Sequence, residues 1–248
     1  LIMQIKEPVK ILDVPVHPLT MGEAVSVLEE SITSGEQAFV VTANAEIIMM
    51  CQEDAGYKKI VSQDAQLVLP DGAGAVWAGR HLGYKVPERV AGFDLYCQLL
   101  DKAAQKGYKA FFFGGSPGIA EAAKAKSEEL YPGVQVVGCR NGYFKEEESQ
   151  AIIDEINASG ADMLFAALGA PKQEKWLVRY REQLKPKILM GIGGSFDVFA
   201  GKMERAPKWM QDASLEWLFR LYKQPSRFMR MMALPKFVLK VVFSGKKA

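Results

Sequence analysis

Lys109-Ala-Phe-Phe-Phe-Gly-Gly-Ser-Pro-Gly118 is the stretch of this sequence that decides its fold class. Residues 110–113 form a short apolar run directly after Lys109, which is typical of a buried strand. A glycine-rich turn follows at once and leads into a helix-like segment that extends through Lys126. A strand that enters a helix through a tight turn is the repeating unit of a parallel sheet covered by helices.

The same unit recurs on both sides of this stretch. Predicted strands cover residues 11–16, 37–41, 66–69, 109–113, 134–137, 162–167 and 187–190. Predicted helices between them include 21–33, 75–81, 93–105, 146–158 and 172–183. We therefore predict an α/β fold, with a Rossmann-like, mostly parallel sheet, helices on both faces and a C-terminal amphipathic helical appendage. The predicted division is a domain over residues 1–200 and an appendage over 201–248.

Composition limits the classes of protein that this chain can belong to. It has 248 residues, of which 49% are hydrophobic and 24% charged, so it can bury the core of one large domain. Cys51, Cys97 and Cys139 have neither disulfide nor metal-site spacing, which predicts a reducing, cytoplasmic compartment. The first residues lack a signal-peptide core, and no apolar run reaches the length of a membrane span.

The C-terminal tail differs from the rest of the chain in charge. From Ser214 onward there are eight Lys and Arg residues and one acid, Glu216, whereas the preceding residues hold 23 basic and 28 acidic side chains. Large apolar and aromatic residues lie between the basic ones, which is typical of helices at an anionic membrane surface. The alternative is a helical hairpin that packs on the body or on a partner subunit.

Three predicted strands end in glycine-rich turns, at Gly114-Gly115, at Gly169 and at Gly193. The carboxyl ends of parallel strands are where open α/β sheets bind ligands, and a following helix N-terminus favours phosphate. The set favours a nucleotide-like ligand, although glycine also serves plain turns. Neither the dinucleotide-binding fingerprint nor a Walker A motif is present.

Polar residues also follow predicted strands. Asp71 comes directly after residues 66–69 and fits either a general base at the mouth of the sheet or an ordinary Pro-Asp-Gly turn. Thr42 and Asn44 follow the neighbouring strand, where they fit hydrogen bonds to sugar hydroxyls or the cap of the next helix.

Three further residues have two interpretations each. Arg89 fits a phosphate contact or a surface arginine, and Gln173 fits a ligand contact at a helix N-terminus or a solvated helix position. Asp197 fits a ribose contact or a helix cap. The absence of an Asp-x-Asp pair disfavours a mechanism that depends on a divalent metal ion.

Six separated motifs together resemble the WecG/TagA/CpsF glycosyltransferases, and the resemblance covers nearly the whole chain. In order, they are Thr42-Ala-Asn44, Leu69-Pro-Asp71-Gly72, Arg89-Val-Ala-Gly92-Phe-Asp94-Leu95, Phe112-Phe-Gly-Gly115, Gly169-Ala-Pro-Lys-Gln173-Glu174 and Gly193-Gly-Ser-Phe-Asp197. Arg205-Ala-Pro207 and residues 215–227 continue the pattern.

The resemblance implies an inverting transfer of N-acetylmannosamine, without a metal ion or other cofactor, in the synthesis of wall teichoic acid or a related surface polymer. The donor would be UDP-N-acetylmannosamine, and the acceptor the 4-hydroxyl of N-acetylglucosamine on undecaprenyl diphosphate. The enzyme would lie peripherally on the cytoplasmic face of the membrane. No nucleic acid is implied, and a homo-oligomer stays open. The alternatives are another UDP-sugar donor, a nucleotide-dependent oxidoreductase, and a membrane scaffold without catalytic activity.

The resemblance also implies roles for the site residues. Asp71 would be the base, Thr42 and Asn44 would line the sugar pocket, and Arg89 and Gln173 would support the donor diphosphate. The UDP-sugar would also contact Gly114, Gly115, Gly169, Gly193 and Asp197. The lipid diphosphate and the membrane would contact Arg220, Arg227 and Arg230.

Overall fold

A computed structural model describes residues 5–213, 215–225 and 228–245, without the side chains of Asp212, Arg220, Met229 and Arg230. Its strands are β1 (Val9–Ile11), β2 (Val14–Val16), β3 (Ala38–Ala43), β4 (Leu67–Pro70), β5 (Lys109–Gly114), β6 (Gln135–Arg140), β7 (Met163–Ala167) and β8 (Ile188–Gly191). The helices before β7 are α1 (Met21–Ser34), α2 (Ala45–Glu53), α3 (Ala55–Lys59), α4 (Gly72–His81), α5 (Gly92–Lys106), α6 (Ile119–Leu130) and α7 (Ser149–Ala158). Those after β7 are α8 (Lys172–Arg179), α9 (Ser195–Phe199), α10 (Lys208–Asp212), α11 (Glu216–Lys223), α12 (Phe228–Met231) and α13 (Ala233–Phe243).

Six strands form one sheet in the order β4-β3-β8-β7-β5-β6, and every neighbouring pair is parallel. The predicted α/β class is therefore confirmed. The prediction of one strand over residues 11–16 is wrong in detail. Leu12 and Asp13 adopt positive φ angles of 48° and 61°, so the chain turns there and β1 pairs antiparallel with β2. Two successive positive φ angles are the geometry of a tight hairpin turn.

Alternate residues of the central strands point to opposite faces, and each face has its own apolar core. In β5, Phe111 and Phe113 belong to one core, whereas Phe112 belongs to the other. Helices α2, α3, α4, α7, α8 and α13 contribute to the first core, and α1, α5, α6 and α9 contribute to the second. Because the strands are buried on both faces, they are continuously apolar, which is why the sequence shows short apolar runs rather than alternation.

The C-terminal tail is partly continuous with the body. Helix α13 packs against α2 and α4, and its Phe237 and Val241 are fully buried in the first core. The boundary at residue 201 stays a prediction, but one face of this last helix belongs to the body. Among the described residues, no helix combines the length and the apolar character that crossing a membrane would require.

Candidate active site

The sheet opens a crevice at two places along the carboxyl ends of its strands. Strands β3 and β8 are neighbours, but α2 leaves β3 toward the first core and α9 leaves β8 toward the second. The same divergence separates β7, followed by α8, from β5, followed by α6. Where successive helices leave on opposite faces, the loops part and make room for a ligand. We call the β3–β8 opening the first crevice and the β7–β5 opening the second crevice.

The first crevice brings together side chains from four separate parts of the chain. It holds a cavity of about 150 Å³. Thr42, Asn44, Asp71 and Gln173 all line it, as the sequence predicted for residues of one site. Other lining residues include Glu46, Phe93, Gly193, Arg205 and Glu216.

Asp71 lies at the junction of β4 and α4, at the first position before the helix. Its side chain does not cap α4; instead its Oδ2 accepts a hydrogen bond of 3.3 Å from the backbone N–H of Gly92 at the start of α5. Gly72 follows with a φ of +79°, so the Pro-Asp-Gly turn that the sequence allowed is present as well. The turn directs a half-buried carboxylate into the crevice, which is where a general base needs to be.

Thr42 and Asn44 are held by local packing at the end of β3. A Cβ atom added to Gly92 would lie 2.7 Å from Thr42 Oγ1, so only glycine lets α5 begin this close to the threonine. Asn44 Oδ1 accepts a 2.9 Å hydrogen bond from Ile47 N–H and thereby caps α2. Asn44 thus caps a helix and lines the crevice at the same time.

Gln173 lies in the first turn of α8 and is buried, so the alternative of a solvated helix position is wrong. Its Oε1 accepts a 3.0 Å hydrogen bond from Gly193 N–H, and its Nε2 donates a 2.7 Å hydrogen bond to Glu174 Oε1. The side chain therefore joins α8 to the turn after β8.

Arg89 lies outside the cavity of the first crevice, in a cluster of four charged side chains. Its Nη1 is 3.3 Å from Glu216 Oε2 and its Nη2 is 3.6 Å from Asp94 Oδ2. Arg205 binds both oxygens of Asp94, at 2.6 and 3.0 Å, and its guanidinium lies 4.6 Å from the centre of the Phe93 ring. No local pattern in the sequence indicated a role for Arg205 or Glu216, although Arg205-Ala-Pro207 and residues 215–227 are part of the family resemblance.

The second crevice is wider and is lined by different residue types. Gly115 and Asp197 line it, together with Ser116, Tyr143, Phe144, Lys145 and Lys172. Lys172 Nζ lies 4.7 Å from the centre of the Phe144 ring. Two of the predicted UDP-sugar residues, Gly115 and Asp197, are therefore neighbours in space although they are distant in sequence.

Gly114 and Gly169 line neither crevice. A Cβ atom at Gly114 would lie 2.4 Å from Ala167 O, so close packing against β7 explains glycine at this position. Gly169 has a φ of +77° and accepts the first hydrogen bond of α8 from Gln173 N–H. Their contacts with a UDP-sugar stay predictions.

Part of the predicted site is not described. Arg227 lies outside the described residues, as do the side chains of Arg220 and Arg230, so their lipid contacts stay predictions. Within the part of the chain that the structure describes, no group of three His, Cys, Asp or Glu side chains converges to hold a metal ion.

Comparison with known proteins agrees with the resemblance seen in the motifs. Residues 9–248 match the model of the "Glycosyl transferase WecG/TagA/CpsF family". The chain is 38% identical over 241 residues to a Bacillus spizizenii protein named N-acetylglucosaminyldiphosphoundecaprenol N-acetyl-beta-D-mannosaminyltransferase, covering 97% of this chain and 91% of that protein. A Bacillus subtilis protein of the same name is 35% identical over 209 residues, 84% of this chain and 80% of its own length. The chain therefore belongs to the WecG/TagA/CpsF family of glycosyltransferases.

Proposed function

We propose that the protein transfers N-acetylmannosamine from UDP-N-acetylmannosamine to the 4-hydroxyl of N-acetylglucosamine on undecaprenyl diphosphate, with inversion and without a metal ion. The observation that carries this proposal is the first crevice. A half-buried carboxylate, Asp71, lies there beside Thr42 and Gln173, in a chain that matches the named transferases along most of its length. The family membership favours this reaction over the oxidoreductase that the glycine turns also allowed.

The reaction is a single displacement at the anomeric carbon of the donor. The Asp71 carboxylate takes the proton of the acceptor hydroxyl while the hydroxyl oxygen bonds to that carbon from the face opposite the diphosphate. The bond from the carbon to the diphosphate oxygen breaks, and its electron pair leaves with UDP. General-base assistance of this kind contributes about 10²- to 10⁴-fold to a rate.

The leaving UDP gains negative charge, which fixed hydrogen-bond donors stabilise. Gln173 supplies an amide N–H from the first crevice. Arg89 also stabilises this charge. Its guanidinium is paired with Glu216 in the structure and would exchange that carboxylate for a phosphate oxygen when the donor binds. The second crevice takes the nucleotide: Asp197 accepts hydrogen bonds from the ribose, and Lys172 and the turn at Gly115 face the phosphates.

The tail places the enzyme on the membrane that carries its acceptor. The outer surface of α13 exposes Val238, Leu239, Val242 and Phe243, with Lys236 and Lys240 between them. Apolar groups enter the interface while the lysines meet anionic headgroups, each worth about 1 kcal/mol near such a surface. Arg220, Arg227 and Arg230 would then face the lipid diphosphate on the cytoplasmic side.

A panel of UDP-sugars tests the proposal. Each donor is incubated with a short-chain prenyl diphosphate that bears N-acetylglucosamine, and the products are read by mass spectrometry. We expect UDP-N-acetylmannosamine to be used in preference to other UDP-hexosamines, at a rate that EDTA does not change. Preference for another sugar would overturn the donor assignment. A loss in EDTA that magnesium or manganese restores would overturn the metal-independent mechanism.

A further inference from the structure

A buried acid lies directly behind the first crevice and has no part in the proposed transfer. Glu174 follows Gln173 in α8, and the two side chains are only 2% and 4% exposed. Gln173 lines the cavity, but Glu174 does not. Tyr57 of α3 is fully buried and is close enough to this carboxyl to influence its pKa. These three residues form a polar cluster within the first core, where a polar group without partners is costly.

The contacts of Gln173 define which way its amide points. The backbone nitrogen of Gly193 can only donate, so the Gln173 atom 3.0 Å away must be the amide oxygen. The amide nitrogen then faces Glu174 Oε1 at 2.7 Å and donates one of its two hydrogens there. The second hydrogen makes no hydrogen bond within the described part of the chain. Glu174 thus fixes the orientation in which Gln173 has one N–H left for a ligand in the crevice.

Gly191 leaves the space that this arrangement needs. A Cβ atom added at this position would lie 2.4 Å from Gln173 Nε2 and 2.7 Å from its Cδ, well inside contact distance. The glycine at the end of β8 is therefore required by the side chain of Gln173, and the glycine two residues later supplies the N–H that Gln173 accepts. Gly191 and Gly193 lie in a turn whose glycines predicted phosphate binding, and both also hold the side chain of Gln173 in place.

The surroundings of Glu174 favour its neutral form. Burial raises the pKa of this carboxyl, against smaller lowering effects of its hydrogen bond from Gln173 and its contact with Tyr57. Glu174 Oε2 and the Tyr57 hydroxyl are both buried, and neither has a hydrogen-bond partner among the described residues. No lysine or arginine pairs with the carboxyl in that part of the chain. A neutral carboxyl can accept from Gln173 through one oxygen and share a proton with Tyr57 through the other.

We propose that Glu174 is a positioning residue of the transferase, which holds the Gln173 amide so that its free N–H meets the diphosphate of the sugar donor. The inference rests on the proposed role of Gln173. Glu174 does not line the cavity, so it would act on the reaction through Gln173 and without touching the substrate. Loss of Glu174 would free the amide to rotate, and the charge on the leaving diphosphate would lose a fixed donor at the moment it develops.

A double-mutant cycle tests this inference. The variants Q173A, E174A and Q173A/E174A are compared for kcat and for the KM of UDP-N-acetylmannosamine. We expect each single variant to lose about 10- to 100-fold in kcat with less than about 3-fold change in KM, and the double variant to be no worse than Q173A. A purely structural role of Glu174 would instead give losses that multiply. Full activity of E174A, or multiplying losses, would overturn the inference.

Two further variants keep the test valid if E174A folds poorly. E174Q keeps a neutral acceptor and donor in place and should restore most of the activity. G191A pushes the Gln173 amide aside, so it should lower kcat in the wild-type background yet cost nothing more in the Q173A background. Wild-type activity of Q173A itself would refute the proposed role of Gln173, whereas an impaired Q173A beside a fully active E174A would refute only the role of Glu174.

Discussion

The body of the protein buries most of its large apolar side chains, whereas its C-terminal tail exposes many of them. Among the described residues, thirteen large apolar side chains are exposed, and nine of them lie after Ser214. The body packs the apolar faces of its strands and helices into two cores, so few large apolar side chains remain on its surface. The outer surface of the tail suits an apolar medium instead, because a soluble domain rarely leaves so many large apolar groups together in water.

The tail has an inner face that packs on the body and an outer face that is exposed. Its inner face, through Phe237 and Val241, completes the first core against α2 and α4. Deleting the whole tail would therefore expose part of the first core. A loss of vesicle binding by that variant could then result from poor folding and not from the missing outer face. Single substitutions on one face at a time separate the two effects.

The largest expected effect comes from the body alone. Asp71→Asn should lower kcat by about 10²- to 10⁴-fold, because the amide cannot take the acceptor proton. Binding of the protein to anionic vesicles should not change, since Asp71 lies in the crevice and not on the tail. Steady-state kinetics and vesicle sedimentation measure the two quantities. Asp154→Asn, at an exposed position of α7, is the matched control. Normal turnover by Asp71→Asn would place the base elsewhere.

The inner face of the tail should matter for folding. Phe237→Ala should lower the free energy of unfolding by about 3–5 kcal/mol, because it removes a fully buried ring and leaves a cavity. Phe243→Ala on the same helix is the control, since that ring is 82% exposed and should cost little. Denaturant titration compares the two variants. Equal stabilities would mean that α13 does not pack on the body in solution.

The outer face of the tail should matter for lipid. Leu239→Glu should weaken binding to anionic vesicles about 10- to 100-fold, because one buried leucine contributes about 1.5–3 kcal/mol. Leu130→Glu is the control: both leucines are similarly exposed, at 57% and 49%, but Leu130 belongs to the body. Sedimentation with vesicles measures the binding. If both variants bind like the parent protein, the outer face serves a protein partner or nothing at all.

The sequence predicted those features that depend on residues close together in the chain. Apolar runs followed by glycine turns indicated the parallel sheet, and placing Asp71 and Thr42 after predicted strands indicated one site at its edge. The sequence did not show that β3 lies beside β8, because that contact joins segments about 150 residues apart in the chain. For Gln173 it left open a ligand contact at a helix N-terminus and a solvated helix position, and the second is wrong because the side chain is buried. Burial there results from packing of α8 on β3, β7 and β8, which no local pattern contains.

The smallest expected effect concerns Glu174, a carboxyl that the body buries, whereas the described lysines of the tail are exposed. Burial raises the pKa of Glu174 above its ordinary value of 4.5, so the folded protein keeps this proton at pH values where the unfolded chain has lost it. The resulting stability is fully present below the ordinary pKa and is lost as the pH rises toward the raised one. The loss is about 1.4 kcal/mol per pH unit over that interval.

Glu174→Gln cannot ionise and should escape this loss, so its stability relative to the parent protein should increase from about pH 5 toward pH 8. The titratable neighbours do not interfere, because burial raises the pKa of Tyr57 and raises that of Cys51 to about 12, which keeps both neutral in this range. Thermal unfolding at a series of pH values measures the difference. Glu182→Gln, at an exposed position shortly after α8, reports the effect of removing a carboxyl that lies in water. A difference between Glu174→Gln and the parent that stays constant with pH would show that the carboxyl behind the crevice ionises as readily in the folded protein as in the unfolded chain. Gln173 would then donate its hydrogen bond to a charged carboxylate and not to a neutral carboxyl.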